Sequence, residues 1–135
     1  MRYLGIVAGL AGAGLIWACA PEERIPSGAA LYADYCAACH GTDARGSGPE
    51  AAGVGVAIPD LTTIAARNNG DFPLTEVMSK VDGYARGRSP GRSVMPELGH
   101  LLDGPLVRVD TGDGMLTPTP AKLIAIADYL KTVQR

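Results

Sequence analysis

The clearest hydrophobic and polar pattern at helical spacing lies in residues 28–40, which read GAALYADYCAACH. Leu31, Tyr35 and Ala38 fall on one face, because residues three and four positions apart are neighbours on a helix. Ser27, directly before the pattern, can cap the first helical turn. The pattern predicts a helix over residues 28–40.

A second pattern of this kind occupies residues 121–134, which read AKLIAIADYLKTVQ. Its apolar positions recur three and four apart and share one face: Leu123, Ile126, Ala127 and Leu130. Thr119 can cap this helix, with Pro120 at the first helical position, where a missing N–H is tolerated. We predict a helix that turns this apolar face to the core.

Weaker patterns lie between these two. Residues 41–59 are rich in glycine and lack periodicity, so they predict a wrapping loop. Short helices are predicted over residues 61–68 and from Pro73 to a stop at Gly83. Residues 106–116 alternate around Gly-Asp-Gly, which predicts a small hairpin. These patterns indicate one largely helical domain with much coil.

Residues 4–18, LGIVAGLAGAGLIWA, form an apolar run that follows a single charged residue, Arg2. A basic start, an apolar centre and small residues at the end are typical of a secretory signal. The alternative is a membrane-spanning helix, but the run is short for a bilayer and contains four glycines. We therefore predict a signal peptide over residues 1–18 and an exported, periplasmic protein.

Cys19 follows this run and is the odd one of three cysteines. Ile16 and Ala18 fit the bacterial lipoprotein signal, in which the cysteine takes a lipid, although Trp17 is atypical there. The alternative is ordinary cleavage that discards Cys19 and leaves Pro21 first, a poorly accepted residue at that position. We predict lipidation of Cys19, since the lipid also removes a loose thiol from an oxidising compartment.

The remainder divides into a short tether over residues 19–27 and a domain over residues 28–135. The sequence has one Phe and one Trp against 18 Gly and 10 Pro, so its side-chain core looks thin. Either part of the domain is disordered, or something besides side chains fills it. A net charge of −2 argues against a nucleic-acid surface.

Cys36, Cys39 and His40 form the motif CAACH. Two thiols on one helical turn can reach the two vinyl groups on one edge of a haem, and the next histidine can bind the iron. A zinc site would need a fourth ligand, with only distant His100 left among the histidines. A redox dithiol would prefer a βαβ setting, and a disulfide closing so short a loop would add little stability. We predict one covalently attached haem c, which would also fill the thin core.

Iron bound by one histidine has a further axial position, for which the candidates are Met78, Met95, Met115 and His100. Met78 lies in a predicted amphipathic helix, where methionine usually packs in the core. Met115 follows a glycine turn and could close the hairpin. Met95 precedes a proline in an irregular segment that can aim its thioether inward, and a thioether favours ferrous iron. We predict Met95 as the second ligand and His100 as a surface residue.

With these residues the chain resembles the small bacterial monohaem class I cytochromes c over residues 27–135. Gly28, Tyr32 and Cys36 match the glycine, aromatic and cysteine that this family carries at successive fourth positions. The resemblance implies an all-α fold of three to five helices wrapped around one haem. It also implies that the first helix packs against an aromatic residue on the last helix, for which Tyr129 fits.

The family further carries a Pro-x-Leu segment, whose proline carbonyl accepts the ring N–H of the ligand histidine. Pro59 and Leu61 match this segment best, and Pro49 is an alternative nearer to the motif. The methionine–proline loop of the family corresponds to Met95 and the proline after it. Residues 96–120 are longer than this part of compact members, and they include the hairpin candidate.

The resemblance implies a single-electron carrier with no catalysis of its own and with redox partner proteins near a membrane. Two alternatives are a haem-containing electron-entry subunit of a dehydrogenase or oxidase complex, and a haem-based ligand sensor with an open sixth position. Arg86, Arg88 and Arg92 are candidates to neutralise haem propionates or to contact an acidic partner, or they form a solvated basic loop.

Overall fold

A computed structural model describes residues 24–84, 94–112 and 114–135 of the chain. Its α-helices are α1 (Gly28–Tyr35), α2 (Ala37–His40), α3 (Ile64–Arg67), α4 (Leu74–Asp82) and α5 (Ala121–Thr132). Short 3-10 helices span Ala51–Val54, Leu61–Thr63 and Gly99–Leu101. The strands β1 (Leu106–Asp110) and β2 (Leu116–Pro120) pair in one antiparallel hairpin. The helix-rich architecture with long coil segments agrees with the prediction.

Some predictions lie outside the described residues. They are the signal peptide over residues 1–18, the lipidation of Cys19, and the roles of Arg86, Arg88 and Arg92. Residues 24–27 of the predicted tether have no regular secondary structure. In the part of the chain that the structure describes, no helix has both the length and the apolar character needed to span a bilayer.

The first predicted helix is divided at Cys36 into α1 and α2. The Cys36 N–H still donates to the Tyr32 carbonyl at 2.9 Å, but the Cys39 N–H bonds to the Cys36 carbonyl, only three residues back. The tighter turn explains why the prediction of one unbroken helix was wrong at this residue. The predicted cap is confirmed, since the Ser27 hydroxyl accepts from the Ala30 N–H at 3.2 Å.

Helices α1 and α5 cross in close contact at the start of α1. The rings of Tyr32 and Tyr129 lie 5.1 Å apart at 47°. A Cβ atom at Gly28 would overlap the carbonyl of Ala125, so only glycine allows this approach. The predicted packing of the first helix on Tyr129 is thereby confirmed. The apolar face predicted for the last helix is confirmed too, since its four members are buried: Leu123, Ile126, Ala127 and Leu130.

The crossing predicts a large difference between two glycine-to-alanine substitutions. Gly28→Ala should destabilise the haem-loaded protein by about 1–3 kcal/mol, because the added methyl group forces α1 away from α5. Gly53→Ala is the matched control, since no atom lies within 4 Å of a Cβ at that position. It should be neutral or stabilising by up to ~1 kcal/mol. Denaturant unfolding measures both, and equal effects would contradict the crossing.

The boundaries of the last helix differ from the prediction. Thr119 does not cap α5: its hydroxyl donates to the Thr117 carbonyl at 3.2 Å, and Thr119 pairs with Val107 in the hairpin. Pro120 is the cap residue and not the first helical residue. The reason is that β2 continues through Pro120, so the helix can begin only after it. The predicted hairpin itself is confirmed.

Helix α4 ends as predicted at Gly83, whose φ of +98° is in the left-handed region that glycine adopts at little cost. Pro73 caps this helix instead of lying in its first turn. The Thr75 hydroxyl of α4 donates to the carbonyl of Thr111 at 3.1 Å, which ties the hairpin turn to the helix. The core therefore lies where α1, α4 and α5 meet, and the hairpin lies beside it.

Candidate functional site

A cleft of about 300 Å³ adjoins this core. Its walls come from four parts of the chain: the end of α1 with α2, residues 54–64, the second half of α4, and residues 94–98. Nearly all of the lining side chains are apolar, and Lys80 is the exception on α4. Val56 and Val94 line the cleft and are 52% and 55% exposed, so the cleft opens to solvent.

The structure brings every predicted haem-site residue within the described part to this one cleft. They are Cys36, Cys39, His40, Pro59, Leu61 and Met95. The prediction drew them from three separate stretches of sequence. Their meeting in one apolar cleft is a tertiary feature that no local pattern contains.

The two cysteines of the motif are free thiols, with Cys36 buried and Cys39 half-buried. Burial raises the pKa of the Cys36 thiol to about 11, so this sulfur is neutral at pH 7. A thioether sulfur also carries no charge and tolerates the same burial. The buried Cys36 sulfur therefore fits attachment to a haem edge better than a role as a reactive thiolate.

His40 lines the cleft in its neutral form. Burial lowers the pKa of the imidazole, and the nearby Pro59 carbonyl only partly opposes this effect by favouring a protonated ring. Its Nδ1 atom is buried and has no partner at full hydrogen-bond geometry. A neutral imidazole is the form that binds metal ions, and the Pro59 carbonyl is positioned to accept from Nδ1. Pro49 is exposed, which favours Pro59 over that alternative.

The backbone around His40 is anchored by α1. The Tyr32 hydroxyl donates a buried hydrogen bond of 2.7 Å to the carbonyl of Gly41. The Gly46 N–H donates to the His40 carbonyl at 2.8 Å. Burial is the main cause that raises the pKa of Tyr32, so its hydroxyl stays protonated and remains a donor. These contacts fix the chain just after the motif, and the helical pattern did not reveal them.

The candidate axial ligands separate clearly. Met95 is half-buried and lines the cleft. Met78 is 6% exposed and belongs to the core, while Met115 is 66% exposed on the hairpin. His100 is exposed, as predicted for a surface residue. Among these four, Met95 is the one positioned to share a ligand with His40.

Sequence reasoning missed several wall residues. Val54, Val56 and Ile58 come from the glycine-rich loop, where no periodicity marked them. Val77 and Val81 lie four apart on α4, so the helical pattern could have identified them. Within the described ranges, no group of three or more His, Cys, Asp or Glu side chains could hold a metal ion. That finding lends no support to a zinc site.

The donors and walls of the cleft suit one group. Two sulfurs one helical turn apart, a neutral imidazole, a thioether and apolar walls are the surroundings of a covalently attached haem. The class of protein defined by this site is a c-type haem domain. In agreement, the Cytochrome c family model matches residues 25–134, so the chain belongs to the cytochrome c family. No curated protein and no solved structure gives a significant match.

Membership of this family assigns the helix-rich domain to the class I cytochrome c fold. The chain carries covalently bound haem c and takes part in haem-based electron transfer. A haem in the cleft would explain the thin side-chain core, because it would supply apolar surface that the sequence lacks.

Proposed function

We propose that this protein is a single-electron carrier with one haem c, joined through Cys36 and Cys39 and ligated by His40 and Met95. It would serve a bacterial periplasmic electron-transport chain and catalyse no reaction of its own. The observation that carries this proposal is the shared cleft of Met95 and the CAACH motif. With His40 and Met95 both bound, the iron would have no position left for a substrate.

The residues of the cleft would adjust the reduction potential at which the haem gains or loses one electron, and no covalent bond would break. The bound haem supplies the redox change. The apolar walls offer few polar groups to solvate the iron and so would disfavour the extra positive charge of ferric iron. Met95 would also favour ferrous iron. The Pro59 carbonyl would have the opposite effect, because it makes His40 a stronger electron donor, which favours ferric iron. Lys80 at the wall adds a positive charge that favours the reduced state.

Carbon monoxide tests the six-coordinate iron directly. The native reduced protein should keep its absorption spectrum when carbon monoxide is added, because Met95 occupies the sixth position. Prompt binding would contradict the proposal and favour a ligand sensor with an open position. The spectrum of the alkaline-pyridine derivative, measured against protein mass, should report one haem per chain joined through two thioethers.

A second candidate function is the electron-entry subunit of a dehydrogenase or oxidase complex. The hairpin favours it, since the adjacent residues Met115 and Leu116 are 66% and 57% exposed on the extra segment between Met95 and α5. Exposed apolar residues that lie close together are typical of a surface that a partner covers. The size of the particle extracted from native membranes separates the two: a complex supports the subunit, and a monomer supports the free carrier.

We also propose that the protein is exported and anchored by a lipid on Cys19, near membrane-bound redox partners. Cys19→Ser should release it from the membrane fraction, because each buried methylene of a lipid contributes about 0.8 kcal/mol to membrane binding. Ala20→Ser is the matched control and should remain bound. Sedimentation and the intact mass measure both effects. Membrane attachment of Cys19→Ser would rule out the lipid anchor.

A further inference from the structure

Gln134 and Arg135 lie just beyond the end of α5 and contact the segment that carries Pro59. The Gln134 side-chain N–H group donates to the carbonyls of Leu61 at 2.8 Å and Leu130 at 2.7 Å. Its side-chain oxygen accepts from the Ala65 N–H at 2.9 Å. One amide therefore joins α5 to both the Pro-x-Leu segment and the start of α3.

Arg135 makes a second set of contacts one residue further along this segment. Its backbone N–H donates to the Thr62 carbonyl at 2.9 Å, and its Nε donates to the Thr62 hydroxyl at 2.8 Å. Its Nη2 donates to the Asp60 carboxylate at 3.0 Å. Asp60 in turn accepts from the Thr62 N–H at 2.8 Å, and Thr62 is 4% exposed. These hydrogen bonds form a closed network around residues 60–62.

This network adjoins the residues that face the haem site. Pro59 precedes Asp60 directly, and both Pro59 and Leu61 line the cleft beside His40. On its other side, the Leu61 N–H donates to the Ala44 carbonyl at 2.8 Å. The segment is thus held from the motif side by one backbone bond and, beyond α5, by Gln134 and Arg135. The Arg67 guanidinium of α3 also donates to the Asp60 carbonyl at 2.9 Å, and the Thr63 hydroxyl donates to it at 3.3 Å. A shift at residues 60–62 must move the Pro59 carbonyl relative to the imidazole.

We propose that Gln134 and Arg135 are positioning residues, which hold the Pro59 carbonyl against the His40 ring and thereby adjust the reduction potential of the haem. The inference rests on the proposed ligation by His40. A carbonyl held at the ring N–H makes the imidazole a more basic ligand, and a more basic ligand favours ferric iron. Loss of the hydrogen bonds from Gln134 and Arg135 should therefore raise the reduction potential of the haem.

The two residues should differ in the size of their effect. The contacts of Gln134 are half-buried, and water cannot easily replace them when they are lost. The Arg135 side chain is 56% exposed, and an ion pair this open to solvent contributes little. The backbone contact of Arg135 also survives substitution. We expect Gln134→Met to perturb the site more than Arg135→Gln does.

The test uses the haem-loaded full chain and the exchange of the His40 ring N–H with deuterated water, followed by NMR in the ferrous state. Gln134→Met should raise this exchange rate about ten-fold, the equivalent of one hydrogen bond. Arg135→Gln should raise it about three-fold. The backbone N–H of Ile126, at the centre of the core, should keep its rate, which separates local loosening from global unfolding. At a fixed applied potential, the ratio of reduced to oxidised Gln134→Met should increase at least two-fold.

Two further variants control for charge. Lys131→Gln removes an exposed positive charge from the last turn of α5, as Arg135→Gln does beyond it, and should leave ring exchange unchanged. Arg135→Lys keeps the charge, and its ring-exchange rate should lie between those of the native protein and Arg135→Gln.

The inference is overturned if Gln134→Met leaves ring exchange unchanged, or accelerates His40 and Ile126 equally. It is also overturned if the potentials of Arg135→Gln and Lys131→Gln shift alike while Gln134→Met does not shift. A native protein in which the His40 ring N–H lacks the NMR signature of an iron-bound imidazole would overturn the proposed ligation as well. If the native protein shows this signature but the variants leave the exchange rate of the ring N–H unchanged, the ligation stands and only the positioning role is overturned.

Discussion

Met95→Ala should yield an iron centre that is high-spin and binds carbon monoxide promptly, whereas the native reduced protein should not bind it. Alanine carries no donor atom, so the sixth position is left to water or to an added ligand. Because Met95 is only half-buried, its truncation should cost about 2 kcal/mol, the low end for such a change, so the fold should survive. Absorption spectra before and after carbon monoxide give the result.

Two other methionines separate ligand loss from loss of stability. Met78→Ala removes a core side chain that is 6% exposed and should cost about 2–5 kcal/mol while keeping the native spectrum. Met115→Ala changes a residue that is 66% exposed and should leave the spectrum unaltered. If Met95→Ala kept the native spectrum, or Met78→Ala opened the iron instead, the assignment of Met95 would be wrong.

Changing both Cys36 and Cys39 to alanine should abolish covalent haem and most of the folded structure. The cleft walls are apolar, and without a haem they would face water or collapse. Contacts of a haem over an area on the order of 400 Å² would contribute roughly 10 kcal/mol. That is comparable to the whole stability of a small domain, about 5–15 kcal/mol. Intact mass, visible absorption and far-ultraviolet circular dichroism measure the outcome.

The single variant Cys36→Ala is the control for the double variant. It keeps one thiol, so it should retain one covalent link and much of the fold. Cys19→Ser should retain both links, since it lies outside the motif. A doubly substituted chain that remained compact and cooperatively folded without haem would show that side chains alone build the core. In that case haem could not be what compensates for the small number of large apolar side chains.

Much of the fold could be predicted because local patterns carry it. The four buried positions of α5 are three and four residues apart, a spacing that only a helix converts into one face. Gly83 terminates α4 because glycine adopts a left-handed φ at little cost. The errors lie at element boundaries. Cys36 interrupts the first helix, because the Cys39 N–H closes a tighter turn on the Cys36 carbonyl. Thr119 joins a strand, since its pairing with Val107 outweighs the local preference for a helix cap.

Contacts between residues that are distant in sequence could not be predicted from local patterns. The side chain of Gln134 donates a hydrogen bond to the carbonyl of Leu61, 73 positions away, and neither local sequence pattern predicts this contact. The same holds for Val54, Val56 and Ile58, which line the cleft from a loop without periodicity. Such contacts depend on how the helices pack, and packing is decided by the whole chain together.

The sequence by itself determined the chemistry of this protein. The order Cys36, Cys39 and His40 sets two sulfurs and an imidazole within one turn, since neighbours along a chain are close whatever the fold. The sequence could only favour Met95 and Pro59 over their rivals, and tertiary structure decided that both reach the cleft. Met95 and Pro59 lie in irregular segments, and their positions follow from the packing of α1, α4 and α5 around the site.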